Sequence, residues 1–284
     1  MNSLSISTAW DQTRAIIAKD GQLMLSVTLA LIMIPVALTG LVDPLALEQT
    51  PPEDYEPTGL SLLIQFVAGL LGIVAQIAII AMAFKIASSV GEAIRKGFSD
   101  LLAVIGVILL FVVAILALFI PLIAITIGFA GLAEFADLQP GTLPAAEIGG
   151  AAVLLILLFI AMVIFFGVRM SMVVPVRTAE GVGPIGMIKR SWALTRGHFW
   201  RILGFYLLFG IGVLIFAIVY MLVFGLIAEL LFDELEPFSV GALYTGLVAG
   251  FLQAVVTVLS STIVARIYAQ LAAEPVASVP PTTA

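Results

Sequence analysis

The chain has 284 residues, of which 62% are hydrophobic and 11% are charged. A soluble domain carries about a quarter charged residues, so this composition excludes an ordinary water-soluble surface and favours a protein that lies in a bilayer. The chain has no cysteine, which excludes disulfides, thiolate metal sites and cysteine nucleophiles.

Six apolar stretches are long enough to cross a membrane, since a spanning helix needs about 20 predominantly apolar residues. They cover approximately residues 22–42, 60–84, 101–129, 149–174, 202–229 and 240–268. The first stretch is too long for the apolar part of a cleaved signal peptide and is expected to remain as a span. Pro35 and Pro121 are expected to kink the first and third spans, and Pro175 is expected to end the fourth. We therefore predict one all-α integral membrane domain over residues 1–272 and a disordered cytoplasmic tail over residues 273–284.

The net charge of −6 conceals a separation of charge along the chain. All Lys and Arg residues lie on one side of the six spans, at positions 14, 19, 85, 95, 96, 169, 177, 189, 190, 196, 201 and 266. The connections on the other side carry only acids, at positions 43, 48, 53, 54, 56, 134, 137, 147, 233, 234 and 236. This alternation is the positive-inside pattern and predicts that both termini are cytoplasmic. A basic inner face suits anionic phospholipid headgroups, whereas nucleic acid is a poor partner because there is no soluble basic domain to hold it.

A short basic amphipathic helix is predicted between the fourth and fifth spans. One face of it carries residues at helical spacing, namely Ile188, Trp192, Thr195 and Phe199. The N-terminus repeats this spacing at Ile6, Trp10, Thr13 and Ile17, and a degenerate version with Arg95 and Phe98 precedes the third span. The chain is therefore predicted to contain three repeats, each an interfacial amphipathic helix followed by two spans.

Residues of the first and third predicted interfacial helices are candidates for binding lipid headgroups or a partner: Trp10, Arg14, Lys19, Lys189, Arg190, Trp192, Arg196 and Arg201. Arginine can clamp a phosphate with two hydrogen bonds, and tryptophan can stack on a headgroup. The alternative is nonspecific snorkelling of the bases and an ordinary aromatic belt. Lys85, Arg169 and Arg266 are expected to matter less for lipid retention than Arg14, Arg196 and Arg201.

Polar residues inside the spans are a second set of candidates: Gln65, Gln76, Gln253 and Ser260. If they converged on one cavity they would indicate a translocation path. The alternative is hydrogen bonding between helices, which we favour because no charged residue lies at mid-membrane. Gly246 and Gly250 form a G-x-x-x-G pattern, which permits close approach of two helices.

Residues for catalysis are sparse. His198 is the only histidine, and a histidine among aromatic residues at the membrane interface is expected to contact a headgroup or the backbone. No metal-ligand set, phosphate-binding glycine loop or Ser-His-Asp set can be assembled, so neither a cofactor nor an enzyme activity is predicted. Gly181 and Gly183 before Pro184 indicate the entry to a helix rather than a nucleotide site.

The basic stretch from Ile188 to Ile202 resembles the segment before the fifth span in a bacterial family, the membrane domain attached to some glycerophosphoryl diester phosphodiesterases. In that family, hydrolysis belongs to a separate soluble barrel with paired histidines, acids and a divalent metal. This chain has one histidine and no room for the barrel. The resemblance therefore implies the membrane module without the enzyme, in the bacterial cytoplasmic membrane.

Two functions follow from these observations. The first is a noncatalytic membrane module that acts as an anchor, scaffold or subunit and binds anionic phospholipid, or a membrane or cytoplasmic protein, at its basic face. The alternative is a transporter or lipid-handling protein with a cavity between the repeats.

Overall fold

The computed structural model describes residues 4–48, 52–130, 150–232 and 236–273. These residues form no strand and nine α-helices: α1 (Ile6–Thr28), α2 (Ile34–Val42), α3 (Gly59–Ala83), α4 (Val90–Ala130), α5 (Gly150–Met170), α6 (Val173–Glu180), α7 (Pro184–Thr195), α8 (Phe199–Leu231) and α9 (Val240–Ala273). Six helical stretches are long and apolar enough to cross a membrane, which confirms the all-α prediction and the number of spans. The predicted tail lies outside the described residues, apart from Ala273.

The bundle has two ends of opposite charge. The end that holds α6, α7 and both described termini contains every Lys and Arg, and we call it the basic end. Here the backbone N–H of Ser5 donates to Gln270 Oε1 at 3.0 Å, which joins the start of α1 to the last turns of α9. At the opposite, acidic end, the N–H of Phe238 donates to Leu41 O at 2.7 Å and joins the start of α9 to α2.

The tightest packing is between α9 and the first two helices. A Cβ added at Gly246 would lie 2.9 Å from Ala37 Cα, and one added at Gly250 would lie 2.8 Å from Met33 O. These glycines let the two backbones touch, so the predicted close approach is confirmed. In the most apolar 18-residue stretch of α3, 50% of the residues are buried, against 0% in that of α8. One buried apolar cluster lies among α1, α3, α4 and α9. A second, at the basic end, also includes α5, α6, α7 and the first turns of α8, whereas the most apolar stretch of α8 is not buried.

The first span differs from the prediction, because no break separates it from the N-terminal amphipathic helix. The helix runs through α1 into a π-helical segment, Leu29–Met33, and on into α2. The N–H of Ile34 donates to Leu29 O, one residue further back than in an α-helix. Pro35 follows directly and lacks an N–H, so the wider turn accommodates the proline without ending the helix. Similarly, α4 continues through Pro121.

Pro175 does not end the fourth helical span, contrary to the prediction. Helix α5 stops at Met170, and Pro175 lies in the first turn of α6, where a missing N–H costs nothing. Gly181 then ends α6 in the left-handed conformation (φ 68°), and Gly183 with Pro184 starts α7, as predicted for a helix entry. Helix α7 is the predicted basic helix, and a second left-handed glycine, Gly197 (φ 88°), separates it from α8.

An ion-pair cluster fixes these short helices to α4. Arg177 Nε of α6 lies 2.9 Å from Oδ1 of the buried Asp100, and Lys96 Nζ lies 2.7 Å from Asp100 Oδ2. Arg177 Nη1 also donates to the carbonyls of Gly181 and Val182, at 2.9 and 3.1 Å. One arginine thus holds both the side of α4 and the turn that leads into α7.

Candidate lipid-binding site at the basic end

Four of the predicted headgroup-binding bases point away from the bundle. Arg14, Lys19, Lys189 and Arg196 are exposed, and their side chains form no ion pair or hydrogen bond within the described parts of the chain. Two tryptophans at the same end are also exposed, Trp10 by 42% and Trp200 by 79%. Unpaired cations beside exposed indoles are typical of a surface at the headgroup level of a bilayer.

Two other predicted bases have structural contacts. Arg190 Nε lies 2.8 Å from Glu180 Oε1, which also accepts a hydrogen bond from the hydroxyl of Tyr268 at 2.7 Å. Arg201 Nη1 donates to Leu4 O at 3.4 Å and tethers the N-terminal segment to α8. These contacts join α6, α7 and α9, and the N-terminus to α8, so both arginines help to hold the basic end together.

Arg169 at the end of α5 has the most elaborate surroundings of the bases at this end. Its guanidinium carbon lies 5.1 Å from the ring centroid of Trp192, 5.4 Å from that of Phe165 and 5.8 Å from that of Phe199. Its Nη1 lies 3.4 Å from Thr195 Oγ1, and its Nε is buried without a hydrogen-bond partner among the described residues. The electron-rich ring faces stabilise the positive charge, but they supply no oxygen acceptor.

Helix packing assembles this group. Phe165 and Arg169 are one turn apart on α5, so they lie on the same face. The hydroxyl of Ser191 donates to Arg169 O at 2.6 Å and fixes α7 against the last turn of α5. Trp192 and Thr195 are thereby brought to the guanidinium, and the left-handed turn at Gly197 returns the chain so that Phe199 meets Phe165, with their ring centroids 5.6 Å apart.

A groove of about 600 Å³ runs between α5 and α8 beside this arginine. Its lining is apolar apart from Arg169: Ala161, Ile164 and Phe165 from α5, and Phe199, Trp200 and Leu203 from α8. The groove therefore combines one cation with a wall of hydrocarbon and aromatic rings.

The sequence predicts that Arg169 matters less for lipid retention than the exposed arginines, and it gives little sign of the contacts that this side chain makes. Its neighbours Trp192 and Thr195 come from a helix more than twenty residues later, and no local pattern reveals that contact. The available signal is the adjacent pair Phe165 and Phe166, one helical turn before a basic residue that ends an apolar run. Trp192 was predicted as a headgroup-binding residue, and it packs on this cation.

Two of the four predicted intramembrane polar side chains form hydrogen bonds within their own helices. Gln65 Nε2 donates to Ser61 Oγ at 2.9 Å, and Ser260 Oγ donates to Thr257 O at 3.3 Å. Gln253 is exposed on α9, and Gln76 is half-buried on α3. Over the described ranges no hydrogen bond joins any two of the four predicted residues, and none of them lines the groove between α5 and α8.

His198 caps the start of α8, and its backbone N–H donates to Thr195 O at 3.2 Å. Among the residues that the structure describes, no group of three or more His, Cys, Asp or Glu side chains is placed to hold a metal ion.

Comparisons with known proteins identify a family without a known activity. No curated protein and no solved structure matches the chain. Residues 5–271 match a family described as "Domain of unknown function (DUF7847)", which covers all six spans and the groove. The chain therefore belongs to this family of unknown function.

Proposed function

We propose that this protein is a noncatalytic multi-pass module of the bacterial cytoplasmic membrane that holds anionic phospholipid at its basic end, with that end and both termini in the cytoplasm. It would act there as an anchor, scaffold or subunit for a membrane or cytoplasmic protein. The observation that carries the proposal is the set of exposed, unpaired bases, Arg14, Lys19, Lys189 and Arg196, at the end where the exposed tryptophans lie.

The excess of basic over acidic residues at this end supports an anionic surface as its partner. The end contains all twelve bases of the chain and only five described acids, Asp11, Asp20, Glu92, Asp100 and Glu180. Asp100 and Glu180 already pair with Lys96, Arg177 and Arg190 inside the bundle. The remaining bases form no ion pair among the described residues and are available to an anionic leaflet, where each contributes about 1 kcal/mol.

The resemblance to the membrane domain of glycerophosphoryl diester phosphodiesterases supports the same proposal. The stretch that carries it, Ile188 to Ile202, covers the last two turns of α7, the link at Arg196 and the first turn of α8, and it includes Trp192 and Arg201. A membrane module of that kind would hold a phosphodiester-processing partner at the membrane and would catalyse no reaction itself.

Lipid retention tests the proposal. Native mass spectrometry after release from bilayers of equal parts phosphatidylglycerol and phosphatidylcholine should show preferential retention of the anionic lipid. Replacing Arg14 and Arg196 together with glutamine should lower that preference more than replacing Lys85 and Arg95, a matched pair of exposed bases outside the first and third basic helices. Equal losses would assign retention to bulk charge, and a wild type without preference would contradict the proposal.

A further inference from the structure

We infer that the groove between α5 and α8 is a defined binding site for one phospholipid, with an acyl chain along the apolar walls and the phosphate bound to Arg169. This inference rests on the proposed function and narrows it from a charged surface to one site. The residues that make the site are Arg169, its aromatic neighbours and the groove walls at Ala161 and Leu203.

The charge of Arg169 favours an anion in the groove. A guanidinium carries several N–H donors and no acceptor. Within the described residues, its side chain makes one hydrogen bond, to Thr195 at 3.4 Å, and forms no ion pair. The buried Nε has no partner there. A phosphate oxygen is a hydrogen-bond acceptor that a guanidinium binds well. The three neighbouring rings offer no oxygen acceptor, so they do not compete with a phosphate for the N–H groups of Arg169.

The walls favour a lipid as the source of that anion. Every other side chain that lines the groove is apolar or aromatic, so a free phosphate ion would gain nothing from them. An acyl chain would pack along those apolar walls in place of other lipid chains, and it would keep its own headgroup beside Arg169. Trp200, which is 79% exposed at the rim, suits the level where headgroup meets hydrocarbon, because tryptophan is enriched at that interface.

Rigid placement of the arginine distinguishes this site from the exposed bases. Arg196 caps the end of α7, and its exposed side chain forms no hydrogen bond or ion pair with the described residues, so it must be ordered when it binds. Arg169 is held by Trp192, by Phe165 and by the bond to Thr195 before any lipid arrives. A pre-ordered donor keeps a ligand longer than a mobile one of the same charge.

The experiment is native mass spectrometry of the full chain released into mild detergent with phosphatidylglycerol, read as the fraction that keeps one lipid. Arg169→Gln should lower that fraction about tenfold, the effect of losing one charge-assisted hydrogen bond. Arg95→Gln removes the same charge from an exposed position at the same end, outside the proposed set of lipid-binding bases, and should leave the one-lipid fraction within about twofold of wild type. Equal fractions for Arg169→Gln and the wild type would overturn the inference, as would equal losses in both variants.

A second variant addresses the groove without altering the charge. Ala161→Phe fills the apolar wall and leaves Arg169 in place, so it too should lower the one-lipid fraction. Thermal unfolding followed by circular dichroism checks that both variants are folded. If Arg169→Gln does not fold, the lipid retention of Ala161→Phe tests the inference. Inorganic phosphate added in excess should not displace the lipid, and displacement would overturn the inference because it would indicate a free-anion site.

The outcomes separate this inference from the proposed function. A wild type that retains no lipid contradicts both. If both Arg169→Gln and Ala161→Phe still retain the anionic lipid preferentially, only the defined binding site in the groove is contradicted. If a protein copurifies with the wild type at a fixed ratio and is lost in Ala161→Phe, the groove is assigned to a protein partner. That outcome would also contradict the lipid-binding site.

Discussion

At the scale of single residues, Gly250 is a position where an added methyl group would collide with the backbone of a neighbouring helix. The new Cβ would lie 2.8 Å from Met33 O and 2.9 Å from Met33 Cα, and both atoms belong to backbone. Neither helix can yield locally, so Gly250→Ala should cost about 1–3 kcal/mol of unfolding free energy. Unfolding in mixed micelles of a mild detergent and dodecyl sulfate, followed by circular dichroism, measures the loss. Gly212→Ala on α8, where no atom lies within 4 Å, should not destabilise the protein.

Single residues also show where sequence reasoning about the site stops. The exposure of Arg14, Lys19, Lys189 and Arg196 follows from helical spacing, since none of them belongs to the apolar face. The contacts of Arg190 and Arg201 do not, because their partners Glu180 and Leu4 lie on other elements. Arg169 depends on three helices meeting, and such a contact is a property of tertiary packing that local periodicity does not contain.

At the scale of helices, α6 and α7 depend on the pair between Asp100 and Arg177. The carboxylate is buried, with a side-chain exposure of 2%, while that of Arg177 is 21%. Asp100→Asn keeps the size of the side chain and removes the charge that balances Arg177 and Lys96. The partly exposed arginine recovers some hydration, so the expected cost is about 1–3 kcal/mol rather than the larger penalty of a fully buried pair. Thermal unfolding in detergent measures it.

The control for that prediction is Asp11→Asn, which removes an exposed acid from the same end of the bundle. It should change the unfolding free energy by less than about 0.5 kcal/mol. If Asp100→Asn is equally mild, the cluster does not hold α6 and α7. The double change of Asp100→Asn with Arg177→Gln should cost less than the sum of the two single changes, because the two residues interact directly.

Helix limits also divide what hydropathy predicts from what it does not. The six spans were predicted because each apolar run exceeds the thickness of a bilayer. The continuity of α1 with α2 was not, because it depends on a π-helical turn that absorbs Pro35 through one shifted hydrogen bond. The break between Met170 and Val173 was not predicted either, because apolar residues continue into α6 across the turn.

At the scale of the whole molecule, the absence of cysteine allows a direct test of the proposed orientation. Ser7→Cys lies at the basic end and Glu53→Cys at the acidic end, and both positions are exposed. A membrane-impermeant maleimide applied to intact cells should label Glu53→Cys at once and Ser7→Cys only after lysis. The reverse pattern would invert the orientation, and equal labelling of both before lysis would contradict a bundle whose two ends face opposite compartments.

The hydrogen bond between Ser5 and Gln270 also bears on how this protein can be tagged. Because the two described ends of the chain lie side by side, halves of a split fluorescent protein fused beyond them would enter one compartment within reach of each other. Complementation within a single molecule would then report an intact bundle. Any variant that pulls the first helix from the last should dim that signal before the remaining helices unfold.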